Sequence, residues 1–193
     1  MKFSYILLLS AACAAIPAIG PAQSMAMSST SMSSPDPMVG GAAMVPTKNI
    51  VENAVNSKDH TTLVAAVKAA GLVPTLEGPG PFTVFAPTNQ AFAALPAGTV
   101  PTLLKPENKP MLTKILTYHV LSGKYELADL KALIVKGNGT ATLPTVDGPD
   151  LTFKMSGDSV AVIDSKGDAA EITIADVNQS NGVIQVVNKV LIP

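Results

Sequence analysis

The chain has 193 residues, of which 13 are basic, 14 acidic and only 14% charged in total. That length suits one ordinary domain with appendages, and an apolar fraction of 47% excludes wholesale disorder. All thirteen basic residues are lysines, so the bidentate guanidinium fork is missing, and a net charge of −1 leaves no electrostatic footprint for nucleic acid or an anionic membrane surface.

Met1 and Lys2 form a minimal positive start, Phe3 to Ala15 is an almost unbroken apolar stretch, and Gly20, Pro21 and Ala22 supply small residues before Gln23. The pattern predicts a secretory signal peptide over 1–22, cleaved after Ala22. Ser4, Ser10, Pro17, Gly20 and Pro21 interrupt the run, whereas a transmembrane anchor wants about 20 apolar residues. A lipoprotein signal on Cys13 is the rival, but Leu9 lies one place too far from it for a good lipobox. Cleavage removes Lys2 and Cys13, the only cysteine. The exported chain then has no disulfide, no thiolate nucleophile and no cysteine metal site, so burial alone must hold it together.

Residues 23–47 shift to Ser, Met, Ala, Pro and Gly without a periodic apolar face, and are read as a flexible linker. Five of the eight methionines, Met25, Met27, Met32, Met38 and Met44, fall there. Thioethers at short spacing suit Cu(I), so a copper-collecting tail built on Met25, Met27 and Met32 is the alternative to a plain spacer.

The globular part is placed at 48–193. Asn49 to Asn56 and Thr61 to Ala70 carry apolar residues at helical spacing, the second stopped by Gly71. Phe82 to Phe85 is a strand, after which Thr88 or Asn89 caps a short helix with Ala91, Phe92 and Leu95 inward, closed by Pro96. Met111, Leu112, Ile115, Leu116, His119 and Val120 mark a further helix, which Gly123 terminates. The period then changes to short strands at 141–143, 151–155, 160–163, 172–175 and 183–187. Helices early and strands late predict an α+β fold with antiparallel sheets packed on each other and helices to one side.

The block Gly80-Pro81-Phe82-Thr83-Val84-Phe85-Ala86-Pro87-Thr88-Asn89-Gln90-Ala91-Phe92 resembles the opening signature of the fasciclin (FAS1) domain. Tyr118-His119 sits where that family carries its Tyr-His pair, and residues 181–193, from Asn181-Gly182 to the end, resemble its closing block. The resemblance implies an α+β β-wedge of two antiparallel-rich sheets with several short helices alongside. It also implies a secreted, periplasmic or extracellular setting, a role in adhesion, and closest likeness to secreted bacterial single-domain members. The closing block often has His and Asp where this chain has Gln185 and Asn188, although Gln and Asn preserve hydrogen bonding. In animal members the family places integrin recognition around the Tyr-His pair, which makes Tyr118 and His119 the candidate binding residues here. A bacterial chain need not share that partner.

The remaining chemistry is sparse. A histidine beside a tyrosine on an apolar helix face is more often a packed, hydrogen-bonded core residue than a ligand. His60, in the polar turn Ser57-Lys58-Asp59-His60-Thr61, is read as solvated, and two histidines without metal spacing make zinc improbable. There is no Gly-x-Ser-x-Gly elbow and no phosphate loop, and His119 has no neighbouring nucleophile in sequence. The Asp147 to Asp150 and Asp164 to Asp168 runs fail the EF-hand pattern and are read as solvated hairpin turns. Thr83, Phe85, Pro87, Thr88, Asn89, Phe92, Asn181 and Gly182 are expected to build the fold. The expectation is a non-catalytic, cofactor-free, monomeric module with no transmembrane segment in the mature chain, binding a cell-surface or matrix protein or a glycan.

Overall fold

The computed structural model describes residues 36–96 and 98–193. The signal peptide expected over 1–22, Cys13 and the methionines Met25, Met27 and Met32 lie outside the described residues. A small hairpin of β1 (Met38–Val39) and β2 (Ala42–Ala43) precedes α1 (Ile50–Asn56), α2 (Thr61–Ala70) and α3 (Val73–Leu76). Strand β3 (Phe82–Pro87) leads to α4 (Asn89–Ala93), α5 (Thr99–Leu103), α6 (Lys109–Tyr118), β4 (Val120–Ser122) and α7 (Leu127–Lys136). Strands β5 (Thr140–Pro144), β6 (Asp150–Ser156), β7 (Ser159–Ile163), β8 (Ala169–Gln179) and β9 (Gly182–Val187) follow.

The strands run in the order β4-β3-β9-β8-β7-β6-β5. Five of the six neighbouring pairs are antiparallel, as short strands divided by tight turns require. The sixth differs: β3 and β9 are parallel, with Phe82 opposite Gly182 and Pro87 opposite Val187. Both strands are buried along nearly their whole length, which is why they read as continuous apolar runs and not as alternation. Strand β8 pairs with β7 through Ala169–Glu171 and with β9 through its later residues, and it bulges near Ile174. The bulges bend it, so it belongs to both sheets of an α+β wedge.

Alternation along β3 divides the interior into two cores. Val84 and Ala86, with Ile184 and Val186 of β9, face Leu63, Val67, Phe92, Leu112 and Leu116 of the helices. Phe85 and Val187 face the other way, onto Tyr118, Leu130, Ile134, Phe153 and Val162. Phe85 and Phe92 therefore anchor different cores, and Phe85 meets Phe153 with ring centroids 5.7 Å apart.

Four sequence expectations change. The linker does not extend to residue 47, because Val39 and Met44 are only 3% and 2% exposed and pack into the helical core. Asn53 fastens this segment: its Nδ2 donates to the Val45 carbonyl at 2.8 Å and to Gln179 Oε1, while Val45 N–H donates to its Oδ1. Helix α6 ends at Tyr118 with His119 as its cap, and Val120 starts a strand, because Val120 is drawn into antiparallel register opposite Val84. Helix α7 escaped the sequence pattern although Leu130 and Ile134 give it a buried stripe, and Asp129 Oδ2 accepts the Glu126 N–H at its start. His60 is buried at 3% exposure, its Nδ1 2.9 Å from Ser57 Oγ. The turn carrying it is pulled under α4 by Asn89 Nδ2, which donates to the Lys58 carbonyl at 2.8 Å.

Candidate functional site

The Tyr118-His119 pair sits where α6 turns into β4, and the change of backbone direction sends the two side chains to different partners. Tyr118 is fully buried; its hydroxyl donates to the Asp150 carbonyl at 3.2 Å and accepts the Ser165 N–H at 3.0 Å. Burial holds its phenol above the ordinary range. His119 is 2% exposed, with Nδ1 2.7 Å from the Ile115 carbonyl and Nε2 2.9 Å from the Leu191 amide nitrogen. A carbonyl only accepts and an amide N–H only donates, so the neutral ring carries its proton on Nδ1. Burial lowers its pKa to about 4, against the smaller opposing pull of the Ile115 carbonyl and Asp164.

Asp164, read from sequence as part of a solvated turn, is a buried member of the same cluster. Its Oδ1 accepts from Lys166 N–H at 3.0 Å and Asp168 N–H at 2.9 Å, and its Oδ2 accepts from Ile192 N–H at 3.1 Å. The Asp-Ser-Lys-Gly-Asp spacing of an Asx turn was visible in the sequence; the bond to Ile192, 28 residues on, was not. Tyr118, His119, Asp164 and Ser165 thus clasp the C-terminal segment against the wedge. A macromolecule in direct contact needs exposed surface, which neither Tyr118 nor His119 supplies.

The other signature residues are engaged in the same way. Thr83 Oγ1 donates to the Gly123 carbonyl at 2.7 Å and accepts Tyr125 N–H at 2.8 Å. Pro87 ends β3, and Thr88 caps α4 by accepting Ala91 N–H at 3.3 Å. Asn89 instead serves α2, its Oδ1 accepting from Thr61 Oγ1 and Thr62 N–H at 3.2 and 3.1 Å. Asn181 Oδ1 accepts Ile50 N–H at 3.1 Å at the start of α1, and its Nδ2 donates to the carbonyls of Leu76 and Gly78 at 2.7 and 3.2 Å. Gly182 allows the parallel strands to meet, since a Cβ there would lie 2.1 Å from the Phe82 oxygen.

Gln185 is buried, and its Nε2 donates to the Tyr125 carbonyl and to Asp176 Oδ1 while its Oε1 accepts Asp176 N–H. Asp176 Oδ1 also accepts Leu127 N–H at 2.6 Å, at the first turn of α7. Asn188 Oδ1 accepts Glu171 N–H at 2.9 Å on the surface. Gln185 and Asn188 are thus both hydrogen-bonded within the domain.

A concavity of mixed polar and apolar lining lies on the outside of this frame. Pro79–Pro81, Lys124 and Gln179–Gly182 line a hollow of about 500 Å³ at the beginning of the parallel pair. Lys124 at its wall pairs with Glu126 at 2.8 Å. Among the described residues no group of three His, Cys, Asp or Glu side chains is arranged to hold a metal ion.

A wedge of two sheets sharing one bent strand, with its signature residues turned inward and a clasped C-terminus, defines a structural module whose frame and surface are separate. The chain belongs to the fasciclin domain family, whose domain profile matches residues 58–193. It is 48% identical over 156 residues to the protein sll1483 of Synechocystis sp., covering 81% of this chain and 79% of that one. It is 33% identical over 160 residues to the cell surface glycolipoprotein MPB83 of Mycobacterium bovis, covering 80% of this chain and 64% of that protein. Among solved structures it resembles a FAS1 domain pair from the insect cell adhesion molecule Fasciclin I, with a TM-score of 0.69 at 17% identity, over 77% of this chain and 52% of the other.

Proposed function

We propose that this protein is an exported, non-catalytic FAS1 module that binds a protein or glycan at or outside the cell envelope. The observation that carries the reading is the hollow at Pro79–Pro81 and Gln179–Gly182. It is built by the two signature blocks, yet their side chains bond inward, so its surface is presented by backbone and by exposed neighbours such as Lys124 and Ser180. The likeness to a cell surface glycolipoprotein supports the setting, as does the apolar N-terminal run. No helix among the described residues is long and apolar enough to cross a membrane. Tyr118 and His119 serve binding indirectly, by holding the frame.

Met44 is buried in the helical core and is not available to a copper-collecting tail, while Met25, Met27 and Met32, on which that alternative was built, lie outside the described residues. The test is saturable binding of the purified protein to intact cells and to envelope fractions. Lys124→Glu and Ser180→Trp are expected to abolish binding at unchanged melting temperature. Undiminished binding by both variants removes the hollow as the site, and absence of binding by the parent protein removes the adhesion reading.

A further inference from the structure

An apolar crevice runs between α1, α2 and α3 on one side and β3, α6 and β4 on the other, and adhesion makes no use of it. Its empty space, counted out to the open mouth, is about 770 Å³, while a water-sized sphere finds only about 50 Å³ of room for its centre. The space is therefore narrow. Val67, Val84, Phe85 and Leu116 form the floor, and Ala54, Val64 and Val73 stand half-buried nearer the rim. Val146, 45% exposed, carries the apolar lining out to the surface.

The buried and half-buried polar side chains on this lining, His119 and Thr117, have other partners. His119 has both ring nitrogens engaged by Ile115 and Leu191. Thr117 Oγ1 gives its one proton to the Thr113 carbonyl at 2.8 Å, and the Asp147 carboxylate, with Oδ1 3.3 Å from that hydroxyl, keeps a buried Oδ2 without a partner outside the lining. The lining is almost wholly apolar and offers water few partners, so the crevice favours hydrocarbon. Its thinness rejects rings and branched groups and admits a chain one carbon wide. The one charged residue on its lining is Lys68, exposed and, among the described residues, in no ion pair. A cation at the mouth of an apolar slot selects an anionic head on an apolar tail.

We propose that the crevice binds one unbranched hydrocarbon chain, the acyl or polyene tail of a single-chain amphiphile, with its anionic head at Lys68. The site is independent of the outer hollow, so the two readings fail separately.

The probe is cis-parinaric acid, a linear polyene carboxylate whose fluorescence rises in apolar surroundings, titrated into the full-length protein. Saturable binding of one chain per protein is expected, and competition with palmitate shows whether saturated chains are accepted as well as polyenes. Ala54→Phe and Val64→Phe, each filling the crevice from a half-buried position, are expected to weaken binding at least tenfold at unchanged melting temperature. Lys68→Ala is expected to weaken parinarate and palmitate several-fold while leaving uncharged hexadecanol unaffected. Where a filled variant does not fold, amide shift changes on adding palmitate to the parent protein decide: changes concentrated at Val67, Val84 and Leu116 support the site. No saturable fluorescence, equal affinity in both folded filled variants, or shift changes elsewhere overturns it.

Discussion

His119 Nε2 accepts a hydrogen bond from the Leu191 amide at 2.9 Å, across 72 residues of sequence. Through it the end of α6 is fastened to the last residues of the chain, and the bond exists only while the ring is neutral. Asp164 and Ile192 make the parallel attachment one residue further on.

Acid should therefore loosen the clasp. The native pKa of His119 is about 4 against 6.5 for an ordinary histidine, so between these values the unfolded chain binds a proton that the folded chain refuses. Stability is complete above pH 6.5, declines as the pH falls toward 4, and levels off with respect to this group below that. The full decline is roughly 3 kcal/mol. His60, also lowered by burial, acts in the same direction. Urea unfolding of the parent and His119→Leu from pH 7.5 to 4 checks this: the parent should show the steeper slope. The variant should be weaker at pH 7.5 by about 1–3 kcal/mol, because the Leu191 amide and the Ile115 carbonyl lose their partner.

Asn181 and Asn89 act as caps for helices distant in sequence, each through three bonds, and their removal should be graded by how buried those bonds are. Asn181→Ala loses three bonds to α1 and the turn after α3, and should cost about 2–4 kcal/mol. Asn89→Ala should cost about 1–2 kcal/mol through the exposed start of α2. Denaturant midpoints at constant slope measure both.

Truncation separates spacer from domain. A chain beginning at Asp36 keeps Val39 and Met44 in the helical core, whereas one beginning at Lys48 empties both positions and strips Asn53 of Val45. The shorter chain should be less stable by about 3–5 kcal/mol, on the scale of losing a large buried side chain. Equal melting temperatures for the two chains would return residues 36–47 to the linker.

Phe85→Ala should cost about 3–5 kcal/mol by opening a void against Phe153. Tyr118→Phe should cost only about 1–2 kcal/mol, because the ring still fills the wedge core and only the hydroxyl's bonds to the Ser165 amide and the Asp150 carbonyl are lost. Thermal unfolding of the two variants side by side tests whether Tyr118 acts through packing more than through its hydroxyl.

Periodicity was enough to find the strands from β5 to β9 and the helices α1 and α2, because each follows from neighbouring residues: an apolar stripe, a cap, a glycine stop. The signature residues were legible too, though their tasks were not. Thr88 caps the helix it precedes, as local chemistry dictates, while the adjacent Asn89 reaches back 27 residues to Thr62. His60 looked solvated because its sequence neighbours are polar, yet its burial is set by α4 packing over the turn.

The amino-acid sequence by itself determined the α+β class, the family and the residues that build the frame, since these rest on short-range patterns and on residue types with few substitutes. Only the tertiary structure decided that β3 lies parallel to β9, that Met44 belongs to the core and that His119 is a bolt on the C-terminus. Those outcomes depend on groups brought together across tens of residues. Their energies come from desolvation and from paired buried polar atoms, which no local window contains.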